Sequence, residues 1–326
     1  MLGSASLLAY QAGWTVAIPA CGQLENFIAL NSKDQLLPAI AILLFATLCF
    51  SAMDTTGKLM TAQLPAVMVV WGRTLFQTIL GASYLTAVAG PRFYVTHKPI
   101  AQFLRGMTLV TASLMIYYAL SHVPLADVIA AMFFGPVLVA LFSAVFLKEK
   151  IGIHRMAAIL AGFVGVLFIV RPGTAGASPW LLLALAAAVL NAVYLMMTRF
   201  LSDPVERRAA QFHTTSFGAV VLSVLVVFFW QKPDLIQLAA LALMGLLGTI
   251  GHFSLVSAFK YAPASLLSPF LYAQVFFSML SSAILLGDKL SWATVVGALL
   301  LVASGVYIWW RERKLGVPHT KSPAAP

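Results

Sequence analysis

Charge is what this sequence has least of. Of its 326 residues only 9% are Asp, Glu, Lys or Arg, and only 10 are acidic, where a soluble domain carries about 25% charged residues. Water is thereby excluded as the solvent for most of the surface. Cysteine is nearly absent as well. Cys21 and Cys49 have neither disulfide nor metal-ligand spacing, which excludes a disulfide scaffold and a cysteine-built metal site. Cys49 reads as a small packing residue in an apolar helix. Cys21 closes the string Ile-Pro-Ala-Cys, which resembles a lipoprotein box, yet no Lys or Arg precedes it as a signal peptide requires. No Walker loop, GxSxG turn or HExxH helix occurs, which removes the soluble enzyme classes those motifs mark. The alternating ten-residue strands of a membrane barrel are missing too.

Long charge-free runs are present instead. Residues 35–53, 74–91, 106–126, 128–147, 172–198, 209–231, 235–259, 261–287 and 290–310 contain no charged side chain. Each holds at least 18 residues, and a helix needs about 20 apolar residues to cross about 30 Å of hydrocarbon. The mean hydropathy is +0.94. These runs predict an all-α polytopic membrane protein with ten transmembrane helices, at 36–57, 65–89, 99–120, 124–147, 152–170, 178–200, 206–230, 234–260, 263–286 and 291–311. Pro65, Pro124 and Pro263 open helices, where a missing N–H costs nothing. Residues 1–35 are too interrupted to span a bilayer and are expected to form a poorly ordered extension. The tail from residue 312 is expected to be a disordered cytoplasmic segment.

The chain also says one thing twice. His122–Ile151 and Tyr261–Leu290 align with an offset of 139, which puts Pro124 on Pro263, Leu141 on Leu280, Ser143 on Ser282, Lys150 on Lys289 and Glu149 on Asp288. The expected units are residues 36–173 and 174–311, five helices each. An odd number of spans turns the second unit upside down, so the prediction is two inverted five-helix repeats. Basic residues orient them. Fifteen Lys and Arg fall on the side holding both termini and the 2–3, 4–5, 6–7 and 8–9 loops, against four on the other side. Both termini are therefore expected in the cytoplasm, with the protein in the cell inner membrane. The net charge of +10 follows from that topology and needs no nucleic-acid partner.

Several pieces together resemble a known family. The two five-helix units, Ser51-Ala52-Met53-Asp54 with Lys58, Val70-Trp71-Gly72-Arg73, Gly251-His252-Phe253 and Tyr261 through Phe270 look like the EamA domain of the drug/metabolite transporter superfamily, in its bacterial branch that includes riboflavin transporters. The likeness runs from about residue 38 to 311. It implies a ten-helix carrier with a central cavity and leaves the substrate open among vitamins, amino acids, nucleotide-like compounds and metallophores.

Polar side chains inside the spans mark the candidate site, because a charge at the centre of a membrane helix costs about 2.5–3.5 kcal/mol on insertion scales. Arg73 lies roughly 12 Å inside the second helix. It reads either as a cavity cation for a carboxylate, phosphate or polarised ring carbonyl, or as the ion-pair partner of Asp54. Asp54 has Lys58 one turn on, in the favourable acid-before-base order. The duplication carries Arg73 onto His213 and Asp54 onto Tyr194, with an offset of 140. His213 is open to a proton-coupling role, while Thr215 and Ser216 beside it read as helix-packing hydroxyls. His252 stands behind Gly248 and Gly251, which admit a close neighbouring helix. It reads equally as an interhelical histidine and as a ligand. Tyr117, Asn191, Tyr194, Tyr272 and Gln274 supply amides and aromatic rings at mid-span depth, for packing or for stacking on a planar ligand. Asp127 is expected to answer the positive start of the fourth helix, and Trp309 and Trp310 to sit in the interfacial belt. Pro136 and Pro269 are candidate kinks.

The expected function is a secondary transporter that moves a small polar metabolite by alternating access. Riboflavin or a related vitamin is the first substrate, and an amino-acid-like compound or metallophore the alternative. Protons are the candidate coupling ion, through His213, His252 and Asp54. A homodimer is compatible with this design, and no cofactor or metal is implied. A membrane-embedded enzyme would gather several acids, histidines or cysteines at one depth, and apart from Glu206 and Asp234, the first residues of their spans, only Asp54 and Asp127 fall within the spans as carboxylates. A channel is disfavoured because pores are built from symmetric subunits or charged rings.

Overall fold

The computed structural model describes residues 21–90, 94–135, 137–138, 141–142, 153–172, 174, 178–201, 210–262 and 267–314, with side chains from Leu36 onward except at 89, 155, 199, 200, 268, 312 and 313. Among the described residues the regular structure is helical throughout, in ten helices: α1 (Cys21–Thr61), α2 (Ala66–Ala89), α3 (Pro99–Leu120), α4 (Leu125–Met132), α5 (Ile153–Val170), α6 (Trp180–Phe200), α7 (Ala210–Leu225), α8 (Leu235–Tyr261), α9 (Ala273–Ile284) and α10 (Trp292–Lys314). A 3-10 turn at Val226–Phe229 extends α7, and another at Ser268–Tyr272 leads into α9.

Six of these helices are long and apolar enough to cross a membrane, namely α1 from Leu36, α3, α6, α7, α8 and α10. Met156–Val170 and Pro269–Ile284 are shorter apolar helices. The 24-residue α2 is not one of the six, because Arg73, Thr74, Gln77 and Thr78 lie on it and lower its hydropathy. The exterior is apolar to an extent foreign to a soluble protein, and several polar groups are buried. Phe45, Leu160, Phe163, Leu182, Val224, Phe276 and Leu299 face outward, while Arg105, Gln102, Asp54, His213, Ser278 and Thr294 are buried. An apolar exterior of that extent belongs in lipid, and the protein is a multi-pass membrane protein.

Helix ends follow local chemistry. Pro65 and Pro124 occupy the cap position, one residue before the helices they were expected to open, and Pro99 is the residue that starts a helix. Pro263 and Pro136 lie outside the described residues. Pro269 sits in the 3-10 turn and not inside a continuous helix, as expected of a residue that cannot donate to an α-helical ladder. Asp234 and Gln237 form a reciprocal capping box at the start of α8, each satisfying an orphan N–H. Gly287, with φ +69°, makes the tight turn between α9 and α10 that a side chain would disfavour. The first helix starts at Cys21, inside the stretch read as an extension, and its apolar part begins at Leu36.

Packing pairs the two halves helix by helix. The main partnerships are α1 with α8, α3 with α6, α5 with α10, α2 with α7 and α8, α1 with α9, α3 with α7, α4 with α6, and α4 with α9. Exchange α1–α5 for α6–α10 and this pattern maps onto itself: α1·α8 becomes α6·α3, α2·α8 becomes α7·α3, and α1·α9 becomes α6·α4. Small residues make these crossings close. A Cβ on Gly297 would stand 2.6 Å from the Gly165 carbonyl oxygen, and one on Gly251 would stand 2.7 Å from the Phe50 ring. Membrane helices pack through such positions.

Candidate functional site

A cavity of about 520 Å³ opens at the seam of the two halves. α1, α2, α3, α4, α6, α7, α8, α9 and α10, together with the 3-10 turn before α9, all contribute to its wall. Seven of the nine residues expected from sequence line it: Asp54, Arg73, Tyr117, Asn191, His252, Tyr272 and Gln274. The other two are elsewhere. The Tyr194 ring lies 5.7 Å from the Arg105 guanidinium, and His213 is 5% exposed and stacks against Phe217. The 140-residue offset brought helices of the same kind into register, but those two side chains point away from the shared space.

At the cavity floor Tyr117 contacts both charges. Its hydroxyl lies 3.5 Å from Asp54 Oδ1, and its ring centroid is 5.2 Å from the Arg73 guanidinium carbon. Gln274 Nε2 donates to Asp54 Oδ2 at 3.1 Å. Arg73 donates from Nη2 to Ser113 Oγ at 2.9 Å and makes a long 3.8 Å contact from Nη1 to Met53 Sδ. Its Nε is buried without a hydrogen-bond partner. Direct pairing of Arg73 with Asp54 was one expectation, and the two are joined through Tyr117 instead. The reason is local. Gly57 lets α1 approach so closely that a Cβ there would stand 2.2 Å from the Tyr117 ring, which brings the ring into contact with both charges. His252 meets Phe50 edge-on, with centroids 5.0 Å apart. The glycines before it admit α1, as their spacing suggested.

Above the floor the wall is apolar and aromatic, from Phe133, Leu195, Tyr272, Ile308 and Trp309, with the amides of Gln77, Asn191 and Gln211 among them. The Tyr272 hydroxyl is buried without a hydrogen-bond partner, pressed onto α10 where Gly305 leaves room for it. Trp309 therefore belongs to the cavity and not to the interfacial belt, whereas Trp310, 49% exposed, faces outward. Thr214 and Thr215 also line the cavity, although their hydroxyls bond back to their own helix. Gln77, Ser113 and Gln211 carried no signal in the sequence, since an uncharged polar residue in a helix does not reveal which way it faces.

Three further polar groups tie helices together around this space. Arg105, counted from sequence as a loop base, is fully buried on α3, where it donates to the Ala210 carbonyl and, at 2.9 Å, to Thr214 Oγ1 on α7. Lys58 does not pair with Asp54. It donates to the Leu120 carbonyl and, at 2.9 Å, to the Val123 carbonyl, satisfying oxygens left over at the end of α3. Asp127, in the first turn of α4, accepts from Thr294 Oγ1 on α10, and the same hydroxyl accepts from Arg171 at 3.1 Å. Among the described residues no three His, Cys, Asp or Glu gather as metal ligands.

Known proteins resemble this chain over most of its length. It is 24% identical over 264 residues to the S-adenosylmethionine uptake transporter of Rickettsia bellii, covering 81% of this chain and 90% of that one. It is 28% identical over 282 residues to the pseudopaline exporter CntI of Pseudomonas aeruginosa, covering 83% and 95%. It is 26% identical over 213 residues to the riboflavin transporter of Brucella anthropi, covering 62% and 74%. A solved crystal structure, at 21% identity, superposes with a TM-score of 0.58 over 87% of this chain and 99% of that one, which speaks to the fold alone. The model of the EamA-like transporter family matches twice, at residues 37–171 and 178–310. A cross-packed double bundle with a polar-floored cavity at its seam and two copies of that domain in sequence belongs to the EamA-like transporter family, whose members here are carriers of small metabolites and not enzymes.

Proposed function

We propose that the protein is a secondary carrier of the cell inner membrane, which moves a small polar metabolite through the central cavity by alternating access. The observation that carries this reading is the placement of Arg73 and Asp54 in the wall of one cavity between two interlocked halves. Repeat-built carriers bind substrate near the midplane at such a seam. The two units, residues 36–173 and 174–311, are inverted relative to one another in this reading. The pairing of helices under exchange of the halves supports it, and so does the excess of basic residues on the side of both termini, which are cytoplasmic. Residues 1–35 and the tail from 312 lie outside the carrier core.

The substrate-binding residues in this reading are Asp54, Arg73, Tyr117, Asn191, His252, Tyr272 and Gln274, with Tyr194 and His213 acting from behind the wall. Riboflavin or a related planar vitamin suits the aromatic wall of Phe133, Tyr272 and Trp309. A second reading, an amino-acid-like compound or metallophore, is favoured by the fixed charges on the floor. Protons couple transport through His252, Asp54 or His213, and the carrier works as a monomer or homodimer in the bilayer. Arg73→Ala tests the core of the proposal. It is expected to abolish uptake into vesicles while the protein still inserts and stays monodisperse, and normal transport by that variant refutes the site. Collapsing the pH gradient is expected to stop accumulation, and unchanged accumulation removes proton coupling.

A further inference from the structure

Among the residues that line the cavity, Arg73 and Asp54 carry the fixed formal charges, one of each sign. We infer that the cavity selects zwitterions: its substrate bears a carboxylate and an ammonium on one headgroup, as an α-amino acid does, and that headgroup docks on the Arg73–Tyr117–Asp54 floor. This rests on the carrier reading above and narrows it to one chemical class.

The two charges keep binding capacity in reserve. A carboxylate offers about four acceptor sites, and Asp54 uses two, one of them long: Gln274 at 3.1 Å and Tyr117 at 3.5 Å. A guanidinium has five N–H donors. Arg73 directs one to Ser113 and one weakly to Met53 Sδ, while its Nε–H is buried with no partner. An orphaned buried donor is costly, and a carboxylate meets an arginine fork with two parallel bonds. Asp54 in turn presents an acceptor to an ammonium. Arg73 and Asp54 make no direct hydrogen bond to one another, so each keeps sites for a ligand. A headgroup that carries both charges can meet each of them with a charged hydrogen bond of about 2.8 Å.

Electrostatics then discriminate. The floor is net neutral, so a simple anion meets Arg73 but also faces Asp54, and a simple cation meets the converse. An uncharged planar molecule strips water from both poles and returns nothing, which is the unfavourable half of burying charge. The rest of the space sets the size. About 520 Å³ falls within the roughly 300–1,000 Å³ of pockets for drug-sized ligands and exceeds what a bare headgroup fills. Phe133, Tyr272 and Trp309 provide rings, and Asn191 and Gln211 provide amides. The class is therefore an α-amino acid with a large, flat, polar-edged side chain.

Thermal stabilisation of the detergent-solubilised full-length protein tests this, since a ligand that prefers the folded state raises the melting temperature. The probes are S-adenosyl-L-homocysteine against 5′-methylthioadenosine, which lacks the headgroup; L-tryptophan against tryptamine and indole-3-propionate, which each lack one charge; and riboflavin. At least one zwitterion is expected to stabilise the protein, with its charge-deleted partners binding on the order of 30-fold more weakly. Asp54→Asn is expected to accept the carboxylate-only analogue as well as the zwitterion, and Arg73→Gln the amine-only analogue. These switches in preference are gains that misfolding cannot imitate. The inference is overturned if riboflavin or a one-charge analogue matches the zwitterions, or if no zwitterion in the panel stabilises the protein. Arg73-dependent, saturable riboflavin flux would overturn it while leaving the carrier reading intact. Loss of the carrier reading itself would show as unsaturable flux without countertransport.

Discussion

Gly57→Ala should damage the floor of the cavity with a single added carbon. The new Cβ would lie 2.2 Å from Tyr117 Cε1 and 3.0 Å from Cζ, more than 1 Å inside the roughly 3.5–4.0 Å at which carbon atoms rest. Tyr117 is 1% exposed, and the open space beside it is the central cavity. Either its ring turns, breaking the bridge between Asp54 and Arg73, or α1 moves away from α3. Overpacking of this kind costs about 1–3 kcal/mol, which corresponds to a fall in melting temperature of about 2–6 °C. Gly81→Ala is the matched control. It lies within α2 and a Cβ there meets nothing within 4 Å, so the higher helix propensity of alanine should leave stability equal or slightly improved. A double-mutant cycle identifies the cause. In a Tyr117→Ala background the clash is gone, and the Gly57→Ala penalty should shrink to about 0.5 kcal/mol or less. The remaining neighbour, Met244 Cε at 3.0 Å, is the mobile end of a flexible side chain. Melting and substrate-induced stabilisation, measured on all four proteins, decide the matter. If Gly57→Ala melts with the parent, or if its penalty persists unchanged without the tyrosine ring, the close approach of α1 to Tyr117 is wrong.

Trp309→Ala is expected to reduce transport severalfold while Trp310→Ala leaves it near normal; equal effects in vesicle uptake would return Trp309 to the lipid interface. Lys58→Met strands the Leu120 and Val123 carbonyls and should cost about 1.5–3 kcal/mol in thermal or denaturant stability, whereas Asp54→Asn should leave the Lys58 contacts untouched. Thr294→Val removes both the donor to Asp127 and the acceptor for Arg171, and a loss of about 1–3 kcal/mol is expected on melting. A reporter placed between α5 and α6 should label from outside the cell. Labelling from the cytoplasm would refute the inverted arrangement.

What could be read from sequence depended on whether the signal was local. Nine charge-free runs and an offset of 139 residues are legible because lipid forbids scattered charge and a duplication preserves proline and turn positions. Arg73 was legible for the same reason, as a lone cation inside an apolar run. Arg105 was not, because a base two turns from a helix start looks the same whether it faces a loop or another helix. Lys58 was assigned to Asp54 by a rule for neighbours on one helix, yet its partners are carbonyls at and just beyond the end of α3. Trp309 and Trp310 are adjacent and alike, but successive helical residues point about 100° apart, so one faces the cavity and the other the lipid. Tyr194 and His213 show how far the duplication reaches: the offset finds the corresponding helices but not the side chains that line the cavity.

The reciprocal packing of the halves has a consequence for how the protein is made. Helices α1, α2 and α3 find their main partners in α6, α7, α8 and α9, and α5 finds its own in α10. A ribosome that has released only the first five spans has thus delivered helices whose polar faces, with Arg105 and Asp54 among them, still await partners from the second half. The nascent half must be held in the bilayer by the insertion machinery until its counterpart arrives. Two separately encoded halves should accordingly be degraded when expressed alone and survive when expressed together, rebuilding the carrier from pieces that are each incomplete.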